Sequence, residues 1–386
     1  MRIGIDNISP GEATSRQGPG GMRAYLQSLL ECFALQSPQH QYLLFTPDWA
    51  DPLLDELPPN VEVVALPGVP INRARRIMYQ QTAFPAALNR HRLDVFFATA
   101  TVAPLACRSP VVLAVQFTQF YQWPNAYGRF RTAYLKLMLP LSLRKARQSI
   151  IFTENAKDDL IRWTGVSPAK VQVVPHGLSN TLWHVADLPV DALEQAIGAS
   201  LTGGRPYILY ISATYGYKNH DRLIRAFGLL KQRRTIPHVL LLVGSEVTVS
   251  FASLQAIAAE VGVADSVIFA GRQASHDRVM SVHLGATMAV VPTLYETFGF
   301  PVLEAMACGC PVVTSNCGSM AELAGESAIL VDPYDIESIS NGMAQLLQDS
   351  ELRQSLIEQG RKRASVFTWE QSAALTLQVL ERAAHK

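Results

Sequence analysis

The stretch Met288–Ser315, MAVVPTLYETFGFPVLEAMACGCPVVTS, constrains the fold more than any other part of the chain. An apolar, β-branched run (Met288–Thr293) leads into a loop carrying Glu296, Phe298 and Gly299. Pro301 then stands where a first helical residue belongs, and a short helix over Val302–Cys308 ends at Gly309 before Pro311–Ser315 resumes a strand. Proline just inside the start and glycine just past the end is the asymmetry of an α-helix. The spacing predicts a strand–loop–helix–strand unit of an open α/β sheet, where ligands gather beyond the carboxyl ends of strands and at helix N-termini. Two carboxylates flank that N-terminus, Glu296 and Glu304. The amides around Phe298–Pro301 suit a phosphate or sugar oxygen, whereas a carboxylate accepts hydrogen bonds only and suits a ribose diol or ring hydroxyls. Taken singly, Glu304 serves equally to complement the helix dipole, and Glu296 equally as solvated loop.

At 386 residues the chain is long for one domain and natural for two. Hydrophobic residues at 48% against 17% charged describe a globular protein with large cores. A net charge of +1 gives no general case for nucleic acid. No uncharged apolar run reaches transmembrane length, and MRIGID begins directly as a strand without a signal-peptide core. Five cysteines fit a reducing cytoplasm. Cys308 and Cys310 form a C-x-C with no second cysteine pair or adjacent histidine, so a metal role is set aside in favour of packing at a helix end.

In chain order, residues 2–6 read as a buried strand. A polar loop ending in Gly18-Pro19-Gly20-Gly21 precedes a helix from about Met22, with Leu26, Leu29, Leu30 and Phe33 at helical spacing. That loop is a place for a ligand to approach backbone or simply a turn; it is not G-x-G-x-x-G. Strands follow at Tyr42–Thr46, Val61–Leu66, Asp94–Ala98, Val111–Phe117, Ser149–Thr153 and Val171–Pro175, with helices between several of them, as in a doubly wound sheet. Residues 129–147 mix Arg and Lys with Phe, Tyr, Leu and Met and contain no acid. They read as a core-facing helix pair broken near Pro140, with a solvated basic face, or alternatively as a membrane-surface patch. His176-Gly177 closes the last strand of this half at the carboxyl edge where sites form.

Residues 181–204 lose periodicity and read as a linker between a domain of residues 1–180 and one of residues 205–368. A second alternation has strands at Pro206–Ser212, Val239–Gly244, Val267–Gly271, Met288–Thr293, Pro311–Ser315 and Ala328–Val331. Lys218 stands just before a helix whose N-cap is read as Asn219, adding a full charge where amides already attract anions. It is a diphosphate site in the making or a solvated surface lysine. Arg272 ends the third strand of this half and by itself reads as a surface residue. Thr368-Trp369-Glu370-Gln371 is a capping box opening the final helix, residues 369–386.

Glu296 and Glu304 enclose seven residues. With Pro292, Tyr295, Phe298-Gly299-Phe300-Pro301 and Glu304-Ala305-Met306-Ala307-Cys308-Gly309, this resembles the E-x7-E signature of retaining glycosyltransferases of the GT-B fold, family 4; Thr297 departs from it, Gly being commoner there. The likeness spans the second half and, more loosely, the first. It implies an α/β protein of GT-B architecture: two Rossmann-like doubly wound parallel-sheet domains facing across a cleft, the final helix crossing back onto the first. It further implies transfer of a sugar, mannose or a related hexose, from a GDP- or UDP-linked donor to a saccharide or lipid-linked saccharide acceptor, with retention and without a metal or other cofactor. Polysaccharide, lipopolysaccharide or glycolipid assembly in the cytoplasm follows, with no nucleic-acid partner; a lipid-linked acceptor would favour the alternative reading of 129–147 as a peripheral contact on the inner face of the membrane. The resemblance assigns Glu296 and Lys218 as catalytic. It assigns Ser212, Thr214, Lys218, Arg272, Glu296, Phe298, Gly299, Phe300, Leu303 and Glu304 to the donor, and it alone implies the place of Arg272 beside the nucleotide base. Gly20, Gly21, Gln116 and His176 fall to the acceptor side and cleft. Ser212 stands where the family often has a second cation, and Gln116 where it often has His. The alternatives are a GT-B-fold nucleotide-sugar epimerase, a phosphorylase-like enzyme, and a non-catalytic sugar-nucleotide-binding protein.

Overall fold

A computed structural model describes residues 1–8, 21–50, 52–54, 56–179, 197–273 and 276–385. The chain divides into two units, Met1–Gly177 with Thr368–Lys386, and Leu178–Phe367.

In the first unit the elements run β1 (Arg2–Asp6), α1 (Gly21–Gln36), β2 (Gln41–Pro47), β3 (Val61–Leu66), α2 (Arg73–Gln81), α3 (Ala83–Leu88), β4 (Val95–Ala98) and β5 (Val111–Ala114). They continue with α4 (Arg129–Lys145), β6 (Gln148–Ile151), α5 (Glu154–Thr164) and β7 (Val171–Val173). The strands form one sheet in the order β3-β2-β1-β4-β5-β6-β7. Its pairings are parallel, with Ile3 opposite Tyr42 on one side and Val95 on the other. Fully buried strands explain the continuous apolar runs such as Val95–Ala98.

Two expectations fail here for visible reasons. The strand read as Val111–Phe117 stops at Ala114, because the Gln116 amide donates to Thr101 Oγ1 (3.1 Å) and not to a neighbouring strand. The helix pair read around Pro140 is one helix, α4, running straight through the proline. An interior proline costs about 3 kcal/mol. Leu135, Met138 and Leu139 before it and Leu143 after it are all buried in one cluster, at about 1.5–3 kcal/mol each, and that packing wins.

The second unit runs β8 (Tyr207–Ile211), α6 (His220–Arg233), β9 (Val239–Val243), α7 (Phe251–Glu260), β10 (Val267–Gly271), α8 (His276–Leu284) and β11 (Met288–Val291). Then come α9 (Phe300–Ala307), β12 (Val312–Ser315), α10 (Gly318–Ala324), β13 (Ile329–Val331), α11 (Ile336–Gln348) and α12 (Ser350–Ala364). Its parallel sheet has the order β10-β9-β8-β11-β12-β13. Of the linker read over 181–204, residues up to 196 lie outside the described residues. Residues 197–202 are helical, and Ile197 and Leu201 pack against Tyr207, Leu209 and Leu241, so they belong to this unit's core.

The last helix, α13 (Trp369–His385), returns to the first unit and packs on α1, β4, β5 and β6. The Thr368 hydroxyl accepts from the Gln371 amide at its start (3.2 Å). Its backbone comes so close to Gly177 that a Cβ there would lie 2.2 Å from the Trp369 nitrogen.

Candidate functional site

The order of the second sheet reverses between β8 and β11, which are paired in parallel with Met288 opposite Ile208. From β8 the chain moves outward one way to β9, and from β11 the other way to β12. The crevice beyond their carboxyl ends is where an open α/β sheet binds its ligand.

Lys218 enters it from β8 and Glu296 from β11. Lys218 ends a 3-10 turn, Gly216–Lys218, whose last carbonyl accepts from the Tyr210 hydroxyl (2.8 Å). Its Nζ is ion-paired with Glu296 Oε1, and the two side chains are only 14% and 13% exposed. Burial pushes the Lys218 ammonium down from 10.5 to about 8. The loops that carry the pair are stitched together by backbone: the Leu294 amide and the Thr293 hydroxyl both donate to the Tyr217 carbonyl (2.8 and 3.0 Å).

Asn219, read as a side-chain N-cap, does something else. It stands at the N-cap position in the left-handed conformation (φ 65°) and makes no side-chain cap. Its amide instead donates to the carbonyls of Pro292 (2.9 Å) and Pro333 (2.7 Å), and its oxygen accepts from Arg222 (2.9 Å). Asn219 thereby holds the Lys218 turn to the ends of β11 and β13, a positioning role that the N-cap reading overlooked. Lys followed by Asn, a residue that tolerates positive φ, was the available signal.

Helix α9 begins at Phe300, two residues earlier than the sequence suggests, with Pro301 in its first turn. Gly299 precedes it where a Cβ would meet Met320 Cε at 2.2 Å. The Phe298 ring is buried against Phe300 and Phe367 (ring centroids 5.1 and 6.2 Å). For Phe298 the main chain is therefore the natural ligand contact, whereas the Phe300 ring is half-buried. Leu303, placed among the donor contacts by resemblance, has its side chain fully buried in the core. Glu304 is half-buried, and its carboxylate makes no hydrogen bond or ion pair with the described residues. Burial raises it from 4.5 to about 7. A half-buried carboxylate with its acceptors open, one helical turn inside an N-terminus, is suited to hydroxyl donors.

Thr214 is also corrected. It is buried, its hydroxyl donates to the Val249 carbonyl (2.5 Å) and accepts from the Val247 amide (3.0 Å), and so it fastens the loop after β9. The Ser212 hydroxyl lies against its neighbour's carbonyl, Ala213 O (3.1 Å). Arg272 is exposed just past β10.

In the first unit, Gln116 is half-buried beyond β5. His176 is buried, stacked on Phe152 (centroids 3.7 Å) with Tyr25 at its edge (4.9 Å), and burial pushes it down to about 3, so it is neutral at physiological pH. Gly21 opens α1, and Gly20 lies outside the described residues. Cys308 and Cys310 pack at the end of α9, near Met280 Sδ (4.0 Å) and the Ala286 carbonyl (3.9 Å). No group of three or more His, Cys, Asp or Glu among the described residues is placed to hold a metal ion.

Two family models match the chain: Glycosyltransferase Family 4 over residues 19–180 and Glycosyl transferases group 1 over residues 195–363. The chain belongs to the family 4 glycosyltransferases of GT-B fold. This family 4 member is 28% identical over 254 residues to the O-antigen chain mannosyltransferase B of Escherichia coli, covering 66% of this chain and 65% of that one. It is 30% identical over 230 residues to the D-inositol 3-phosphate glycosyltransferase of Acidothermus cellulolyticus, over 55% and 48% of the two chains. The matches to these curated relatives thus span about half to two thirds of the relatives' own length. Among solved structures, the sucrose-phosphate synthase of Thermosynechococcus elongatus superposes with a TM-score of 0.73 at 22% identity, over 99% of this chain and 98% of that one, a likeness of fold.

Proposed function

We propose that this family 4 member is a retaining glycosyltransferase, moving a hexose from a nucleoside-diphosphate sugar to a hydroxyl of a saccharide or lipid-linked saccharide. The observation that carries the reading is the meeting of Lys218 and Glu296 at the reversal of the second sheet. A cation beside helix N-termini stabilises a departing diphosphate, and a carboxylate beside it orients sugar hydroxyls. Lys218 Nζ neutralises charge as the bond from the anomeric carbon to the diphosphate oxygen lengthens. Glu296 accepts from the transferred sugar, the main chain at Phe298–Phe300 donates to sugar or phosphate, and Glu304 accepts from the ribose diol. The acceptor hydroxyl attacks the face from which the diphosphate leaves and gives its proton to the leaving phosphate oxygen, which accounts for retention. Lys218 and the helix ends take the place of a metal ion in this reading, and no cofactor is called for. Mannose is the first sugar to try, since a relative is named as a mannosyltransferase. Surface-polysaccharide assembly is the setting, with contact to the inner membrane face through residues 129–147.

The test offers GDP-mannose and UDP-glucose with simple alkyl glycosides as acceptors, follows nucleoside-diphosphate release, and reads the anomeric configuration of the product by NMR. Release that requires acceptor, with the donor's configuration kept, supports the proposal, and Lys218→Ala then lowers kcat/KM by at least ~10²-fold. An inverted product, or kinetics unchanged in Lys218→Ala, refutes it. Donor consumption without acceptor and with an epimerised sugar would favour the epimerase.

A further inference from the structure

The first unit's sheet reverses too. β1 pairs in parallel with β2 on one side and with β4 on the other, so the chain leaves the middle of the sheet once in each direction. The carboxyl ends of β1 and β4 therefore form a second crevice of the kind that binds ligands in open α/β sheets. Asp6 is the last residue of β1 and only 1% exposed. Its Oδ1 accepts from the Ile8 amide (2.9 Å), while its Oδ2 is buried and has no hydrogen-bond partner among the described residues. Burial raises the carboxyl from 3.8 to about 6, which leaves it ionised at neutral pH. An open carboxylate oxygen shielded from water is destabilising, and such atoms are rare in native folds.

The loops beyond the neighbouring strands are fastened to this end of β1. The Thr99 hydroxyl, just past β4, donates to the Asp6 carbonyl (2.7 Å). Two residues on, Thr101 is buried in the left-handed conformation (φ 57°), an unfavourable one for a β-branched residue. Its hydroxyl accepts from the Gln116 amide beyond β5 (3.1 Å). Backbone held in such a conformation gathers at binding sites. The Gln116 side chain meets the Tyr25 hydroxyl of α1, and Gln116 is half-buried where Asp6, Tyr25, Thr99 and Thr101 are buried.

We propose that this crevice takes a ring of the acceptor sugar, with Asp6 Oδ2 accepting from one of its hydroxyls, and that Asp6 selects a neutral sugar against a phosphorylated one. The inference rests on the reading of a saccharide acceptor above. An ionised carboxylate only accepts, so a hydroxyl fills the open oxygen, whereas a phosphate brought up to it sets two like charges together out of water. Gln116, with a donor and an acceptor on one amide, suits the adjacent hydroxyl. A buried water would also satisfy the oxygen, but it would not distinguish one sugar from another.

The experiment is a ligand-observed NMR titration of the full chain, without donor, using the methyl α-glycosides of mannose, glucose and galactose and mannose 6-phosphate. At least one neutral glycoside is expected to bind, and mannose 6-phosphate is not. Asp6→Asn keeps the side chain's shape and weakens the neutral glycoside about 10-fold, a hydrogen bond to a charged group being lost, while mannose 6-phosphate gains affinity. In turnover the same variant raises the acceptor KM and leaves the donor KM and the Tm shift with nucleoside diphosphates as in the parent. Asp6→Ala shows the same loss should the Asn variant fold poorly. Equal binding of mannose 6-phosphate by the parent, parental glycoside binding in Asp6→Asn, or no glycoside bound at all overturns the proposal. A changed Tm in Asp6→Asn with every glycoside Kd unmoved points to a buried water alone and overturns it too. Asp6-dependent sugar binding in a protein that never releases nucleoside diphosphate would refute the transferase reading and leave the sugar site standing. Transfer with a parental acceptor KM in Asp6→Asn would do the reverse.

Discussion

Lys218 Nζ and Glu296 Oε1 form an ion pair across 78 residues of sequence, one from the loop after β8 and the other from the loop after β11. Removing either partner of a largely buried pair leaves an uncompensated charge. In the proposed reaction the donor gives each member a new partner at once: the diphosphate takes the ammonium and a sugar hydroxyl donates to the carboxylate. The donor therefore meets groups already withdrawn from water and aimed at one another.

The pH dependence of donor use follows from that burial. Lys218 is held at about 8, against an ordinary 10.5. The charged form stabilises the diphosphate, so kcat/KM for the donor falls as pH rises through about 8. Lys218→Arg stays charged and loses that limb, whatever its absolute rate. Stability moves the other way. Between about 8 and 10.5 the unfolded chain holds a proton that the folded chain lacks, so stability rises with pH across the window. A profile with its alkaline limb unchanged in Lys218→Arg would show that another group sets it.

Glu304 gives the opposite sign. Its carboxyl is raised from 4.5 to about 7, so between those values the folded state holds the extra proton. Its contribution to stability is lost as pH rises through about 7, where the charge is buried without a partner. Glu304→Gln is therefore expected to raise the Tm of the free protein at alkaline pH and to weaken nucleoside-diphosphate binding about 10-fold, a hydrogen bond to a charged group being at stake. Calorimetric titration checks the second half. A variant that binds as well as the parent would remove Glu304 from the ribose.

Thr214 separates scaffold from site. Thr214→Val deletes the bonds to Val249 and Val247 and should cost about 1–2 kcal/mol in a urea melt, while the donor Kd stays within about twofold. Undiminished stability with lost donor affinity would return Thr214 to the diphosphate.

Gly177 tests the return of the chain. A Cβ there would meet the Trp369 backbone at 2.2 Å, and backbone cannot swing aside as a long side chain does. Gly177→Ala should destabilise by about 1–3 kcal/mol through overpacking and loosen α13. Faster amide exchange confined to α13 and α1 is the expected signature; an unchanged melt would contradict the close approach.

What the sequence revealed and what it hid divide along physical lines. Local grammar marked α9, because Pro301 and Gly309 sit where helix ends demand them, although the first turn began at Phe300. The apolar runs gave both parallel sheets, since strands buried on both faces need no alternation. Hidden were effects of distant partners. Asn219 follows local capping chemistry until Pro292 and Pro333, 73 and 114 residues away, compete for its amide. Pro140 looks like a helix break until the packing of Leu139 and Leu143 is weighed against it. The hydroxyl of Thr214 looks open to a ligand until the loop after β9 closes on it.

The central claim, a donor site built on Lys218 and Glu296, is tested most directly by thermal shifts of the parent and Lys218→Ala with UDP, GDP, ADP, dTDP and their sugar conjugates. A nucleotide at about 100 times its Kd should stabilise the parent by about 2.7 kcal/mol, seen as a raised Tm. A clear shift is expected with one nucleotide class, and Lys218→Ala, measured against its own ligand-free Tm, no longer shows it. No shift with any of them, or an equal shift in Lys218→Ala, would contradict it.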